Sequence, residues 1–313
     1  MLSPHAARRI RILVVSLATV FVVADAAGMA IHYCSPIRIA TVVAMHRNHG
    51  CPFSRAVQSE KEGERQRAIR ENLFQSFRLI QVSNGLSQWD TPNGKYWIPA
   101  GFEHTLAHNL AEQQRSIYDS GIVNVKPGDT VLDCGANVGV FTRRALAAGA
   151  RLVVSVEPAP ENVACLRRNF ASEIASGRVI VYPKGVWDKD DVLELHVDPV
   201  NSARDSFVMV WKEATETVKV PLTTIDKLVA ELKLNRVDFI KMDIEGAEKP
   251  ALTGARATLA KYKPGLAIAA EHFTDDGDKI PLLVHNLVPQ YQFECGPCVD
   301  LGATVTPDSL YFR

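Results

Sequence analysis

Short, continuously apolar runs alternate with amphipathic stretches along most of the chain after residue 129. The runs TVLDCG, RLVVSVEP and RVIVYPKGV predict strands. The stretches GVFTRRALAAG and ENVACLRRNFASEIASG between them predict helices, because their apolar residues recur every three or four positions. Runs this short and apolar are typical of strands that helices cover on both faces. The pattern therefore predicts an α/β fold with a doubly wound, mostly parallel sheet.

The later part of the chain continues this alternation and adds antiparallel strands. VDFIKMDIEG and GLAIAAEHF predict two further strands of the parallel sheet. Three segments before them predict an inserted β-hairpin region: DVLELHV, SFVMVW and TVKVPLTTI. YQFECG and SLYFR, close to the C-terminus, predict strands that close one edge of the sheet.

Residues 1–33 form a hydrophobic leader that the pattern sets apart. The apolar stretch from Ile10 to Ile31 has an uncharged core, Ile12 to Ala24, that follows Arg8, Arg9 and Arg11, as in a signal anchor or a transmembrane helix. Asp25 interrupts the roughly 20 apolar residues that a spanning helix needs. We expect membrane association through this segment. Translation from Met45 is the alternative, and it would leave a soluble cytoplasmic protein.

The remainder divides into an extension and a main domain. Residues 34–118 predict a helical N-terminal extension with substrate or lid helices, including a helix in HTLAHNLAEQQRSIYDSG (104–121). TPNGKYWIPAG (91–101) predicts a turn or a short hairpin, because its prolines and glycines surround aromatic residues. Residues 119–313 then form the main α/β domain.

Charge and cysteine content narrow the possible functions. Lysine plus arginine equals aspartate plus glutamate at 35 each, and no basic cluster alternates with aromatic residues, so we expect no nucleic-acid partner. Cys134 lies within an apolar strand, which favours buried thiols in a reducing compartment over a disulfide framework. The CGPC segment at 295–298 is interpreted as a tight turn between strands rather than as a redox or metal motif.

The segment DCGANVG (133–139) carries the first candidate site. Ligands of a doubly wound sheet bind at the carboxyl ends of its strands, where this segment lies. Gly135 and Gly139 let the backbone approach a ligand, and Asn137 stands where a helix N-cap is expected. Asp133 places an anion there, which would repel a pyrophosphate and suit an amino-bearing ligand. The pattern favours an amino-acid-like cofactor over NAD.

Two acids at later strand ends extend this site. Glu157, about 20 residues beyond the glycines, can accept hydrogen bonds from both hydroxyls of a ribose. Asp188, with Trp187 beside it, is a candidate for the adenine side of the ligand, and a turn acid is the alternative.

Asp243, Glu245 and His272 are the candidate catalytic residues. The two acids are spaced i, i+2 at a strand end, so both can face one side, and one could accept a proton from a substrate hydroxyl. His272 follows the next strand and is a candidate general base, with a buried or capping histidine as the alternative. Together the three could bind a divalent metal, but we expect none.

The chain resembles the FkbM family of S-adenosylmethionine-dependent methyltransferases. The motifs are VLDCGANVGVFT, VEPAPENVACLRRN and VDFIKMDIEGAEKPALTGA, and the likeness covers roughly half of the chain. It implies a seven-stranded, Rossmann-like class I methyltransferase fold in residues 119–313. It also implies methyl transfer, usually to a hydroxyl oxygen of a sugar, glycolipid or natural product.

The resemblance also assigns roles to residues. It implies that Asp133, Gly135, Asn137 and Gly139 hold the methionine part of S-adenosyl-L-methionine, with Asp243 as a further contact. Glu157 would bind the ribose and Asp188 the adenine side. The catalytic domain is then expected where this cofactor is available, in the cytoplasm. The alternatives are a Rossmann dehydrogenase that binds NAD, although DCGANVG is not GxGxxG, and a membrane-tethered binding protein without catalysis.

Overall fold

The computed structural model describes residues 35–197, 206, 208 and 216–313. The leader expectation for residues 1–33 therefore lies outside the described residues. Within the described ranges, no helix is long and apolar enough to cross a membrane. The helices there are α1 Ser35–Ala44, α2 Phe53–Ala56, α3 Ser59–Ser76, α4 Glu103–Gln114, α5 Val140–Ala147, α6 Pro160–Asn169, α7 Ala171–Ala175, α8 Ile225–Glu231, α9 Glu248–Thr253, α10 Arg256–Tyr262 and α11 Asp276–Leu287.

In the part of the chain that the structure describes, the strands form one large sheet and three small ones. They are β1 Arg78–Ser83, β2 Leu86–Thr91, β3 Gly94–Pro99, β4 Thr130–Cys134, β5 Leu152–Val156, β6 Val179–Tyr182, β7 Gly185–Val186, β8 Asp191–Val197, β9 Glu216–Thr223, β10 Phe239–Met242, β11 Gly265–Ala269, β12 Phe293–Cys295, β13 Cys298–Asp300, β14 Val305–Pro307 and β15 Ser309–Phe312. Each strand predicted for the parallel sheet is present.

The large sheet has seven strands in the order β12-β15-β11-β10-β4-β5-β6. Strands β11, β10, β4, β5 and β6 are parallel neighbours, and β15 runs antiparallel to both β11 and β12. The order reverses direction beside β4, which is the switch point where doubly wound sheets bind ligands. The predicted Rossmann-like, mostly parallel seven-stranded fold is confirmed.

The core lies on both faces of this sheet, as the continuously apolar strands predict. Val154, Ile240 and Ile268 pack under the helices of one face, while Val153, Phe239 and Ala267 pack on the other. Such two-sided burial holds the carboxyl ends of the strands in fixed positions. The loops at that edge therefore begin from a rigid base.

The N-terminal extension packs its own small sheet against the main domain. Strands β1, β2 and β3 form an antiparallel sheet, and the predicted turn at 91–101 is the β2–β3 connection followed by β3. Tyr96 and Ile98 of β3 are buried in one cluster with Leu106 and Leu110 of α4. Asn169 of α6 fastens β3 to the main domain, since it accepts from the Trp97 N–H at 2.6 Å and donates to the Trp97 carbonyl at 2.9 Å.

The inserted strands form a separate sheet in the order β7-β9-β8. Strand β9 is antiparallel to β8, as a hairpin requires, and parallel to β7. The segment predicted as SFVMVW lies almost entirely outside the described residues, and Ser206 forms an isolated bridge with His196. The hairpin prediction is confirmed for β8 and β9.

The cysteines correct one expectation. Cys51 forms a disulfide with Cys298, 247 residues further along, so a disulfide joins the N-terminal extension to the C-terminal strands. The preference for reduced thiols was wrong here, because a spacing of this length carries no pairing signal. Cys134 is a buried free thiol, as predicted, and the CGPC segment is a tight connection between β12 and β13.

Candidate active site

A pocket of about 250 Å³ opens at the carboxyl ends of β4, β5, β10 and β11. The loops after these strands form its floor, and α4 forms one wall. The predicted site residues that line it are Gly135, Asn137, Glu157, Asp243 and Glu245. Residues separated by more than 100 positions thus meet in one cavity, as the strand-end argument predicted.

The turn after β4 brings the backbone to the pocket. Gly135 has φ +78°, and a Cβ there would lie 1.8 Å from the Asp243 carbonyl oxygen, so only glycine allows β4 and β10 to end this close together. Asn137 has φ +49° and precedes the N-cap of α5, which is Gly139. The expectation that Asn137 caps the helix was therefore wrong.

Glu157 links this turn to the end of β5. Its Oε2 accepts a hydrogen bond from the Asn137 N–H at 2.8 Å, and its Oε1 accepts from the Ala159 N–H at 3.0 Å. Burial raises the pKa of Glu157 above its ordinary value, although these two N–H donors and the Asn162 amide, which donates to Oε1 at 3.3 Å, oppose the rise. A carboxylate has about four lone-pair sites, so three hydrogen bonds fix this one and leave acceptor capacity toward the pocket.

Asp133 lies behind the pocket rather than on its wall. The side chain is fully buried, its Oδ2 accepts from the Thr142 hydroxyl at 2.6 Å, and its Oδ1 is 3.6 Å from Lys241 Nζ. Lys241 is its register partner on β10, and neighbouring parallel strands point paired side chains to the same side. Asp133 is not among the lining residues, and the Lys241 side chain lies between its carboxylate and the cavity. A direct contact between Asp133 and a ligand in the pocket is therefore not expected.

Lys241 connects the two acids of this region. Its ammonium donates to the Gly135 carbonyl at 2.8 Å and lies 3.5 Å from Asp243 Oδ2. Burial lowers the pKa of Lys241, but Asp243 and Asp133 together raise it above its ordinary value, so the side chain carries a charge. Burial likewise raises the pKa of Asp243, yet Lys241, His272 and a hydrogen bond from Tyr118 hold it below its usual range.

His272 sits beneath the two acids of the β10 end. Its Nε2 is 3.7 Å from Asp243 Oδ1 and 3.5 Å from Glu245 Oε2, and its Nδ1 is 3.1 Å from Glu248 Oε1. Burial lowers the pKa of His272, but the surrounding carboxylates, Glu248 above all, raise it well above its ordinary value. These carboxylates favour the charged form of His272 over the neutral form that a general base needs, and the role of His272 as a base stays a prediction.

Two further predicted cofactor-binding residues, Asp188 and Gly139, do not line the pocket. Asp188 is exposed and does not line the pocket, and neither does Trp187. The β6 side of the pocket is lined instead by Gly185 and Val186 of β7. Gly139 also stays out of the cavity, because its role is structural: a Cβ there would meet the Phe170 ring at 2.2 Å.

Helix α4 forms a wall of the pocket that the sequence motifs do not include. His108, Asn109, Glu112 and Gln113 line the pocket from this helix, and Tyr118 lines it from the segment that follows. The signal was available, since positions 108 and 112 are four apart and share one helix face. The apolar residues on the opposite face, Leu106 and Leu110, indicate that this helix packs against a core, but they do not indicate a ligand site.

Comparisons with known proteins agree with this geometry. Residues 133–296, just over half of the chain, match the family profile described as Methyltransferase FkbM domain. The chain is 25% identical over 159 residues to the 31-O-demethyl-FK506 methyltransferase FkbM of Streptomyces tacrolimicus, covering 42% of this chain and 61% of that protein. It is 27% identical over 156 residues to the 2-O-methyltransferase NoeI of Sinorhizobium fredii, covering 44% and 62%.

The chain thus spans about three fifths of the length of these two relatives. A crystal structure of methyltransferase FkbM from Methylobacillus flagellatus is 19% identical, with a TM-score of 0.47, and the likeness covers 83% of this chain and 62% of that one. The FkbM domain profile over residues 133–296 confirms the resemblance stated from the sequence motifs.

S-adenosyl-L-methionine is the cofactor, as the resemblance implied, and the donor set of the pocket fits it. Glu157 offers carboxylate oxygens for ribose hydroxyls. Five acidic side chains of the described residues line the pocket, Glu112, Glu157, Asp243, Glu245 and Glu271, against one buried lysine, Lys241, which suits a ligand with a sulfonium and an ammonium. A pyrophosphate would meet repulsion in the same place.

Proposed function

Because the chain belongs to the Methyltransferase FkbM domain family, we propose that it methylates a hydroxyl oxygen of a small-molecule acceptor, such as a sugar, a glycolipid or a natural product. One observation carries this proposal: Gly135, Glu157, Asp243 and Glu245 share one pocket at the switch point of the sheet. The names of two relatives, a 31-O-demethyl-FK506 methyltransferase and a 2-O-methyltransferase, support oxygen as the accepting atom.

The cofactor would lie along the ends of β10, β4 and β5. Glu157 would accept hydrogen bonds from the ribose hydroxyls, and the backbone at Gly135 and Asn137 would hold the methionine end, with Asp243 facing its ammonium. When bound, S-adenosyl-L-methionine supplies an electrophilic methyl group on a positively charged sulfur. Most of what the chain must add is alignment of the acceptor with that methyl group.

Asp243 and Glu245 would orient the acceptor and draw the proton from its hydroxyl. Both line the pocket at the end of β10, on the side of β11 and away from Glu157. His272 would hold these two carboxylates in position from the β11 side. Lys241 would hold Asp243 from the other side and so keep the carboxylate ionised.

The lining of the same pocket supports the proposed domain division. Residues 119–313 would form the methyltransferase domain, and the extension of residues 34–118 would supply the α4 wall against which an acceptor lies. Membrane association through residues 1–33 stays a prediction.

Methyl-labelled cofactor tests the proposal directly. The protein would be incubated with it and with panels of sugars, lipids and polyketides, and label in an ether linkage is the expected result. If S-adenosylhomocysteine binds but no hydroxyl acceptor is labelled, O-methylation is wrong and a non-catalytic binding role is favoured. Tightly bound nicotinamide cofactor would support the dehydrogenase alternative instead.

A further inference from the structure

Three metal-ligating side chains converge on the side of the pocket away from Glu157. One donor atom each from Asp243, Glu245 and His272 lies within 4.8 Å of the other two. The His272 Nε2 is 3.7 and 3.5 Å from the facing carboxylate oxygens. Neighbouring ligands of an octahedral ion, with metal–ligand bonds of about 2.1 Å, are about 3 Å apart. Small side-chain movements would therefore complete a coordination triangle.

On the side of the His272 ring away from Nε2, the Glu248 carboxylate faces Nδ1. Glu248 Oε1 is 3.1 Å from Nδ1, and this carboxylate is buried and anchored by the Ile244 N–H at 2.9 Å. Metal-bound histidines usually present their second ring nitrogen to such a carboxylate, which fixes the ring orientation. This outer contact is independent of the two acids that face Nε2.

Lys241, the buried lysine of the pocket, approaches a different oxygen of Asp243 from the one that faces His272. Lys241 lies against Asp243 Oδ2, at 3.5 Å, whereas Oδ1 is the oxygen that faces His272. The neighbouring set of Glu248, His272 and Asp276 is less suitable, because Lys249 already pairs with Asp276. A set of three cysteines is also close, but a disulfide joins two of them.

We propose that Asp243, Glu245 and His272 bind one divalent cation, which displaces the proton from His272 Nε2, and that an acceptor hydroxyl completes its coordination. Two carboxylates with one imidazole suit Mn²⁺ better than Mg²⁺, which prefers oxygen ligands alone. The role at the hydroxyl rests on the proposed O-methylation. The cation would lower the pKa of that hydroxyl, so that its proton passes to the Glu245 oxygen that does not bind the cation. The acceptor oxygen would then form its bond to the methyl carbon as the bond from that carbon to sulfur breaks. This inference replaces the expectation of no metal.

Mn²⁺ binding tests the site without any need for an acceptor. Chelator-treated protein would be titrated with Mn²⁺, and the free ion followed by electron paramagnetic resonance. One binding site is expected, with at least tenfold weaker binding in Glu245→Gln and His272→Gln. Glu248→Gln should weaken it by about tenfold, as outer carboxylates do. Glu231→Gln is the matched control, because that carboxylate is exposed and pairs with Lys184 outside the pocket.

The outcomes separate this inference from the proposed function. No binding at millimolar Mn²⁺, or equal binding by the protein and both inner variants, overturns the metal site. Methyl transfer at an undiminished rate in excess chelator overturns its role while leaving O-methylation intact. Site-specific Mn²⁺ binding in a protein that methylates no hydroxyl supports the site and contradicts only the proposed reaction.

Discussion

Glu157→Gln is the substitution whose effect the structure defines most fully. Each oxygen of Glu157 accepts a backbone N–H, from Asn137 on one side and Ala159 on the other. A glutamine must turn its NH₂ group toward one of them, whichever way the amide points. The unpaired donors should cost about 1–3 kcal/mol of stability.

The same change removes the charge that would bind the ribose. Hydrogen bonds to a charged group contribute about 1.5–3 kcal/mol, and 1.4 kcal/mol is a tenfold change in affinity. Calorimetric titration should therefore show S-adenosylhomocysteine binding weakened by roughly 10- to 100-fold. Thermal unfolding of the same preparation reports the stability loss separately.

Glu231→Gln again serves as the control, since its carboxylate lies on the surface beside Tyr182 and Lys184. It should leave the affinity for S-adenosylhomocysteine unchanged. A folded Glu157→Gln protein that binds S-adenosylhomocysteine as tightly as the unsubstituted protein would refute the assignment of the ribose to this carboxylate.

Three further substitutions test other parts of the account. Gly135→Ala should lower the free energy of unfolding by about 2–5 kcal/mol in denaturant titrations, from its left-handed backbone and its clash with Asp243. Gly177→Ala has a similar φ in open space and should lose only the smaller, backbone part; equal losses would contradict the clash. His272→Gln should keep S-adenosylhomocysteine affinity within about twofold while turnover falls at least about tenfold, and a loss of affinity would count against its position on the acceptor side. Burial and Glu112 raise the pKa of Asp308 to about 7, so folding stability from this group is present below pH 4 and lost as pH rises to 7. Asp308→Asn should flatten that decline in urea titrations across this pH range, and an unchanged slope would show that other groups cause it.

The sheet and most of the candidate site could be predicted because they depend on local pattern. Val153 and Val154 are buried on opposite faces, as a continuously apolar strand requires, and strand ends place Glu157 and Asp243 at one edge by topology alone. Gly135 could be predicted because a position where two backbone segments approach closely has no room for a Cβ and requires glycine.

The errors arose where distant residues decide the environment. From the sequence, Asp133 is predicted to be an acid of the site. Its register partner Lys241 belongs to a strand more than 100 residues later, and the two side chains pair behind the pocket. The carboxylates of Glu248 and Glu245, which favour the charged form of His272, also cannot be placed beside it from the sequence alone. The exposure of Asp188 likewise depends on the direction that the chain takes after β7. No local sequence pattern determines that direction.

A crystal structure of the protein with S-adenosylhomocysteine tests the central claim most directly. The account predicts ribose hydroxyls within hydrogen-bond distance of Glu157 and the amino-acid end beside Gly135 and Asp243. It also predicts a sulfur directed toward the space between Glu245 and α4. A ligand bound elsewhere, or bound here with its ribose away from Glu157, would contradict it.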